Sequence, residues 1–527
     1  MKTIFKNLIA GGALLLTAAA CTGDYENINK NPFEPGDLTA GDYALASSMY
    51  NICNGVRSND QNQYQLVESL MGSVLGGYFA DGNGGFTNSF ARYNPANNWS
   101  RVLMEANNTS IIPTLYTNYS MIESNAEASG STVALDIAKI LKVATMDRIT
   151  DAYGPIPYSK VGYDGSILTP YDSQEEVYKQ FFTDLNEAIA DLNINVGSAL
   201  NPIIDDIYRG DLSKWIKYAN SLKLRLAMRI SYADPVLAKK MAEEAVDPAN
   251  GGVIETVADN ALYNHYTTGG NPIQRSTVGY GHDSRPAADL VCYMNGYNDP
   301  RREAYFLKSV WEGLDYCGLR RGWTTFDKTW GFNFSGVNIK ANDPLIWMTA
   351  SEVAFLRAEG VAIHGWNMGG GSAESYYNEG IRLSFEQWGA SGAEAYMADN
   401  TSMPSAYTDP SEQNPWNGSL SSITIKWEEG ASRETKLERI ITQKWIALYY
   451  NGNEAWAELR RTGYPKLIPV AYNGSGGVVD SNLGPQRMPY PQEEYTNNSY
   501  NVTQAVNTLL NGPDNMGTKV WWARGNR

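Results

Sequence analysis

Histidine and cysteine are scarce in this chain of 527 residues, which has three of the first and four of the second. His265, His282 and His364 form no H-E-x-x-H, and no C-x-x-C pair occurs, so the usual zinc-ligand spacings are missing. Also absent are G-x-S-x-G, the Walker phosphate loop, G-x-G-x-x-G and an EF-hand-like run. His282-Asp283-Ser284 holds all three triad residue types, yet a triad needs convergence from separate segments. No stretch beyond residue 20 is apolar enough to span a bilayer, and no Pro/Ser linker or long charge run divides the chain. A single large domain with long loops is the reading. Basic residues are outnumbered, 42 against 57 acidic, for a formal net charge of −15. Such a surface repels phosphate backbones and argues against a nucleic-acid partner. Besides Cys21 there are Cys53, Cys292 and Cys317, an odd set that cannot be a full disulfide framework. Either Cys292–Cys317, the closest pair in sequence, is bridged, or the thiols are free and buried.

What is present starts with the leader. Lys2 and Lys6 precede an uncharged run from Asn7 to Ala20, and Cys21 follows. This is a secretory signal, too short for the roughly 20 apolar residues of a membrane span. Processing before Cys21 would leave its thiol to carry lipid, as in bacterial lipoproteins, and acyl chains would then hold the protein to a membrane. Ala18-Ala19-Ala20 stands where such sites usually begin with Leu, and Leu16 lies two residues too early. The rival reading is an ordinary signal peptide with a chance cysteine. The expected organisation is a removed leader at 1–20, a lipidated polar and acidic tether at 21–37, and the body at 38–527.

Aromatic residues are in excess, with 34 Tyr, 14 Trp and 13 Phe. Tyrosine suits half-exposed positions, and this mixture with Asn and Gly leans towards a surface that meets sugars or peptides. Helical spacing of apolar residues predicts a helix through Ile137, Ile140, Leu141 and Ala144, stopped near Gly154-Pro155. Others are predicted over Val177–Leu192, Leu212–Ser231 and Ser351–His364. A helical hairpin is predicted around Trp445 and Trp456, with Asn453 as the N-cap of its second arm and Gly463 ending it. Such pairs resemble helical repeats of degenerate period. Between the helices run irregular stretches at 76–99, 263–286, 311–334 and 407–427, too rich in aromatics for disorder. Ile423–Trp427 is expected to form a short strand.

Several local patterns, in order along nearly the whole chain, resemble the SusD/RagB family of nutrient-binding outer-membrane lipoproteins. They are Cys21 with Tyr25-Glu26-Asn27-Ile28-Asn29-Lys30-Asn31-Pro32, the D-R-I-T-D-A-Y-G-P-I-P-Y run from Asp147 to Tyr158, and Asn298-Asp299-Pro300-Arg301 with Tyr305-Phe306. Asn453-Glu454-Ala455-Trp456 with Arg460–Pro465, and Arg487-Met488-Pro489-Tyr490-Pro491 followed by Asn497 to Asn501, complete the set. The resemblance implies a mainly α fold of tetratricopeptide-like helix pairs, long irregular loops and a few short strands. It implies a lid on the outside of the outer membrane, over a SusC-like TonB-dependent transporter, that hands on oligosaccharides or peptides without catalysis. No cofactor and no metal belong to that expectation. The Asp151–Tyr158 turn and the Arg460–Pro465 helix end read as packing devices, since Gly and Pro fix the backbone there.

A sugar ring is bound by flat aromatic faces and a few polar groups for its hydroxyls. The irregular stretches supply both, and the ligand-binding candidates are Tyr266, Arg275, Tyr280, His282, Asp283, Trp323 and Trp330. Each could equally be packing, and Trp99 reads as core. Two other function classes stand beside nutrient capture. A lipid-anchored glycoside hydrolase would use convergent carboxylates, for which Asp205-Asp206 and Glu428-Glu429 are the sequence candidates, though solvated charge explains them as well. A purely structural surface protein or adhesin is the other.

Overall fold

The computed structural model describes residues 40–83, 86–100, 103–104, 111–162, 168–198, 200–266, 269–281, 283–323 and 328–523. The leader, Cys21, the tether and His282 lie outside the described residues. The long helices are α1 (Ala40–Val56), α2 (Ile111–Ser129), α3 (Val133–Tyr153), α4 (Gln174–Ile194), α5 (Leu212–Arg229), α6 (Pro235–Ala245), α7 (Ala350–Glu359), α8 (Ala373–Gln387), α9 (Arg433–Ala447), α10 (Gly452–Thr462) and α11 (Ser499–Thr508). Neighbours in sequence pack as pairs, α1 on α2, α3 on α4, α5 on α6 and α7 on α8, and successive pairs stack through α4–α5 and α5–α7. The architecture is mainly α with a tetratricopeptide-like arrangement, built on one large apolar core.

Local chemistry sets the helix limits. Ser173 caps α4 and Glu176 returns the contact, a reciprocal capping box, while Val177, Phe181, Leu185, Ala188 and Leu192 turn inward. Asp211 caps α5. α3 ends at Gly154 (φ 85°) and α10 at Gly463 (φ 81°), where a left-handed backbone suits glycine. Two expectations are corrected. The cap residue of α10 is Asn451, whose side chain accepts from Arg57. Asn453 lies inside the helix and donates to the Val67 carbonyl at 3.2 Å and to Glu68 Oε2 at 3.0 Å. Ile423–Trp427 forms no strand; Ile423, Ile425 and Trp427 are buried in irregular backbone with no partner strand to extend.

The strands are short and pair two by two. β1 (Phe79–Asp81) runs antiparallel to β3 (Ser284–Pro286), β2 (Ala261–Tyr263) to β6 (Leu345–Met348), and β4 (Phe306–Leu307) to β5 (Gly336–Val337). The stretch 263–286, expected to be irregular, thus holds the end of β2, a π-helical turn at Arg275–Gly279 and β3.

A charged network lies at the centre of the helical body. Arg229 donates to Glu458, to Glu454 Oε2 at 2.5 Å and to Asp151 Oδ2 at 3.1 Å. Arg461 bridges Glu359 and Glu458, Arg225 grips Glu352, and Lys444 reaches Glu458 at 3.1 Å. Asp151 also accepts from the Tyr178 hydroxyl at 2.6 Å and the Trp522 indole at 2.9 Å. Burial alone would raise the pKa of Glu359 and Glu458, but the Arg461 guanidinium, joined at Glu458 by Lys444 and Arg229, outweighs it and holds both carboxyls below their usual range. The Asp147–Tyr158 and Asn453–Pro465 blocks therefore meet inside the protein. Cys53, Cys292 and Cys317 are all free and buried, which decides between the two readings of the thiols.

Candidate functional site

Three of the irregular stretches converge through backbone pairing. In β1–β3, Asp81 stands opposite Ser284, Ala80 opposite Arg285 and Phe79 opposite Pro286, joining the 76–99 stretch to the 263–286 stretch. Arg92 donates to the carbonyls of Phe86 and, at 2.9 Å, Trp323, which brings in the 311–334 stretch. Beside them the short helix Gln61–Tyr64 and the π-helical turn Gln65–Gly72 supply amide side chains. Gln61 Nε2 reaches the Arg275 carbonyl at 3.1 Å and Gln65 Nε2 reaches Asp283 Oδ2 at 3.0 Å.

Tyr280, Asp283 and Arg275 are brought together here. Tyr280 is half-buried, its hydroxyl donates to Asn62 Oδ1, and its carbonyl accepts from Lys328 Nζ at 2.7 Å. Asp283 is buried; its carboxylate takes bonds from Gln65, from Asn83 at 3.1 Å and from Lys328. It positions these amides and the ammonium rather than presenting free oxygens. Arg275 lies partly exposed at the start of the π-helical turn beside Gly269.

The tryptophans serve a different purpose. Trp323 is buried and meets Trp330 edge to face at 4.9 Å; Trp330 in turn contacts Trp311 at 5.8 Å and Phe334 at 5.3 Å. With Ala80, Ala287, Cys317 and Leu319 they make a small separate core under the face. Tyr266 lies on the loop beside the face, with its hydroxyl donated to the Asp343 carbonyl at 2.6 Å. Trp99 packs against Phe86 at 5.2 Å and Phe90 at 6.1 Å, next to the main core.

Among the described residues of the 311–334 stretch the aromatic left in the open is Phe332, 42% exposed, which was not among the candidates. Arg285 lies beneath it, 5.2 Å from the ring, and burial pushes that guanidinium down to about 10. Nothing in the sequence sets Phe332 apart from Trp330 and Phe334 on either side; the 3₁₀ turn Trp330–Asn333 is what aims its ring outward. Burial also raises Asp81, partly opposed by Ser89 and Arg92, to about 6.

The acidic pairs weighed for hydrolysis do not form a cleft. Asp205 accepts from the Trp215 indole at 2.8 Å and from three backbone amides, and Asp206 pairs with His265 at 2.7 Å. Glu428 meets Arg439 and Glu429 meets Lys436. Among the described residues no three His, Cys, Asp or Glu side chains converge as metal ligands, and no helix is long and apolar enough to cross a membrane.

Two cavities are lined by other residues. One of about 390 Å³ lies where Trp388 and Tyr450 meet Asn338, Lys340 and Asp343. The other, about 600 Å³, lies between the end of α10 and the 481–487 loop.

Comparison with known proteins places the chain. Residues 26–523 match the SusD-like family, described as Susd and RagB outer membrane lipoprotein. A solved SusD homolog from Bacteroides uniformis is similar at 52% identity and TM-score 0.88, over 92% of this chain and 99% of that one. Another from Bacteroides thetaiotaomicron is 41% identical with TM-score 0.83, covering 91% and 99%. A chitin-binding SusD homolog from Flavobacterium johnsoniae is 37% identical with TM-score 0.83, covering 91% and 98%. No curated protein matches.

Proposed function

The chain belongs to the SusD-like family, and from that premise we propose that it is a non-catalytic capture subunit for glycans at the outer face of the outer membrane. Cys21 carries its lipid anchor, and the body at 38–527 delivers the bound oligosaccharide to a partner SusC-like TonB-dependent transporter. The observation that carries this reading is the meeting of the 76–99, 263–286 and 311–334 stretches on one face. There an exposed ring, Phe332, lies over Arg285, two residues along the chain from Asp283, which gathers Asn83 and Lys328 beside Tyr280 and Asn62, an apolar surface and hydroxyl-binding groups carried by the same loops. Asp283 and Arg275 are assigned to that face as positioning and rim residues, and His282, next to Asp283, is assigned to it by its place in the chain. Trp323 and Trp330 are assigned to the support of the face, and Tyr266 to the loop beside it.

Chitin oligosaccharides head the ligands to try, given the chitin-binding relative. Calorimetry of the full-length protein against neutral oligosaccharides, chitooligosaccharides included, is expected to show binding that Tyr280→Ala and Phe332→Ala weaken about tenfold, a loss of about 1.4 kcal/mol. Absence of binding across the panel, or release of shortened products on incubation, refutes the reading. Co-purification of a large β-barrel transporter and incorporation of labelled palmitate that Cys21→Ser abolishes test the partner and the anchor.

A further inference from the structure

The cavity of about 600 Å³ is unusual in its charge. Its walls include Arg321, Arg460, Lys466 and Lys519, and no Asp or Glu lines it among the described residues. In a chain with 57 acidic residues against 42 basic, such a wall runs counter to the whole surface.

The four cations differ in how much charge is free. Arg321 is spent on Asp289, with bonds of 2.9 and 3.2 Å. Arg460 is buried, lies 3.7 Å over the Trp456 ring and donates to three carbonyls, of Asp151 at 2.6 Å, Gln486 at 3.1 Å and Trp456 at 3.3 Å. Its Nη2 is buried without a partner, and the Asp151 carboxylate next to it is taken by Arg229, Tyr178 and Trp522. Burial pulls its pKa below the usual guanidinium range, the mark of a cation lacking a counter-charge. Lys466 is exposed; its ammonium sits 4.6 Å over the Tyr464 ring and meets only a carbonyl, that of Gly463, at 3.4 Å. Lys519, half-buried, has no ion pair among the described residues.

Aromatic and amide groups complete the wall: Trp416 is half-exposed, and Tyr464, Asn482 and Gln486 share the lining. Tyr93 and Arg321 follow closely on Arg92 and precede Trp323, so loops that carry the glycan face also form this wall. Ring faces beside unpaired ammonium groups recognise a sugar that bears an anion.

Resting on the reading of the protein as a glycan binder, we propose that this cavity is a second saccharide site, selective for a residue carrying a carboxylate or a sulfate ester. Lys466 and Lys519 hold the anionic group directly, Trp416 takes the ring, Tyr464 backs the Lys466 ammonium from its buried position, and Arg460 contributes its positive field from behind Trp456.

Calorimetry of the full-length protein in detergent compares trigalacturonate with its methyl ester, and N-acetylglucosamine 6-sulfate with N-acetylglucosamine. Sodium sulfate alone is the fifth probe. At low salt at least one charged sugar is expected to bind about tenfold tighter than its neutral counterpart, the scale of a charged hydrogen bond. The doubly substituted Lys466→Ala/Lys519→Ala protein is expected to lose that advantage while keeping its thermal midpoint and its neutral-oligosaccharide binding, and added salt is expected to shrink it. The uronate and sulfate arms tell the two anion sources apart. Equal affinity for both members of each pair, an advantage that survives the double substitution, or sodium sulfate binding as tightly as the sulfated sugar overturns the proposal. Loss of neutral-oligosaccharide binding at the Tyr280–Phe332 face is a separate result and bears on that face alone.

Discussion

Arg461 is fully buried and its guanidinium serves two carboxylates at once. Nη1 and Nη2 donate to Glu359 at 2.6 and 2.7 Å, while Nε and Nη2 donate to Glu458 at 2.8 and 2.6 Å. Arg461→Met keeps most of the aliphatic stem and removes the charge. Glu458 retains Lys444 and Arg229, but Glu359 is left facing only His364, whose Nε2 lies 3.9 Å away. Removing one partner of a buried pair costs about 3–5 kcal/mol, because the other charge stays behind in a low dielectric. That loss is expected in urea unfolding near pH 7. The pH dependence gives the sharper test. In the parent protein Glu359 is held below its usual pKa, so its contribution is present above the unfolded value and fades as pH falls through the folded one. In the variant burial is no longer opposed by arginine, the folded pKa rises above the unfolded one, and Glu359 takes up a proton on folding. The penalty is then full at neutral pH and relaxes as pH drops towards about 5, within the raised titration range. Arg382→Met, which removes an exposed pair with Glu394, is expected to leave the midpoint unchanged. A loss under about 1 kcal/mol at pH 7, or one that grows on acidification, would refute the account of this network.

The other expectations follow from packing. Gly452→Ala places a Cβ 2.2 Å from the Ser73 amide nitrogen and 2.4 Å from the Gly72 carbonyl carbon, so α10 must move off the Gln65–Gly72 turn. Urea unfolding is expected to show about 1–3 kcal/mol of destabilisation, whereas Gly430→Ala, with open space around its Cβ, is expected to change nothing. Trp323→Ala empties the small core under the face and is expected to cost about 3–5 kcal/mol, while Phe332→Ala is expected to spare the urea midpoint and weaken oligosaccharide binding. With Cys21→Ser in place, the folded protein is expected to react with no thiol reagent and the unfolded chain to show three thiols. Burial raises Cys292 and Cys317 to about 12, so a count of one in denaturant would mean a disulfide instead.

The helices were legible because their signals are local. The spacing Val177–Phe181–Leu185–Ala188–Leu192 needs no distant partner to mark a buried stripe, and Gly154 and Gly463 end their helices through their own backbone freedom. The signature blocks announced the family for the same reason: each is a short run whose order survives in the sequence. At the α9–α10 turn local reasoning failed by two residues, since Asn453 is claimed by Glu68 and Val67, nearly four hundred positions away. Ile423–Trp427 failed likewise. Its alternation of buried residues is real, but a strand is defined by the neighbour it pairs with, and none lies alongside.

What the sequence settled by itself was the helical class, the family and the acidic balance of charge. Which rings face outward was decided only in three dimensions. Trp323 and Trp330 are spent on a core of their own and Tyr266 on a carbonyl, while Phe332, from the same aromatic run, is left in solvent. A cationic cavity in an acidic chain is equally invisible along the sequence, because Arg460, Lys466 and Lys519 come together only when loops fold over the end of α10. The physical reason is shared: exposure and charge balance are sums over neighbours in space, and composition counts residues without saying which neighbours they have.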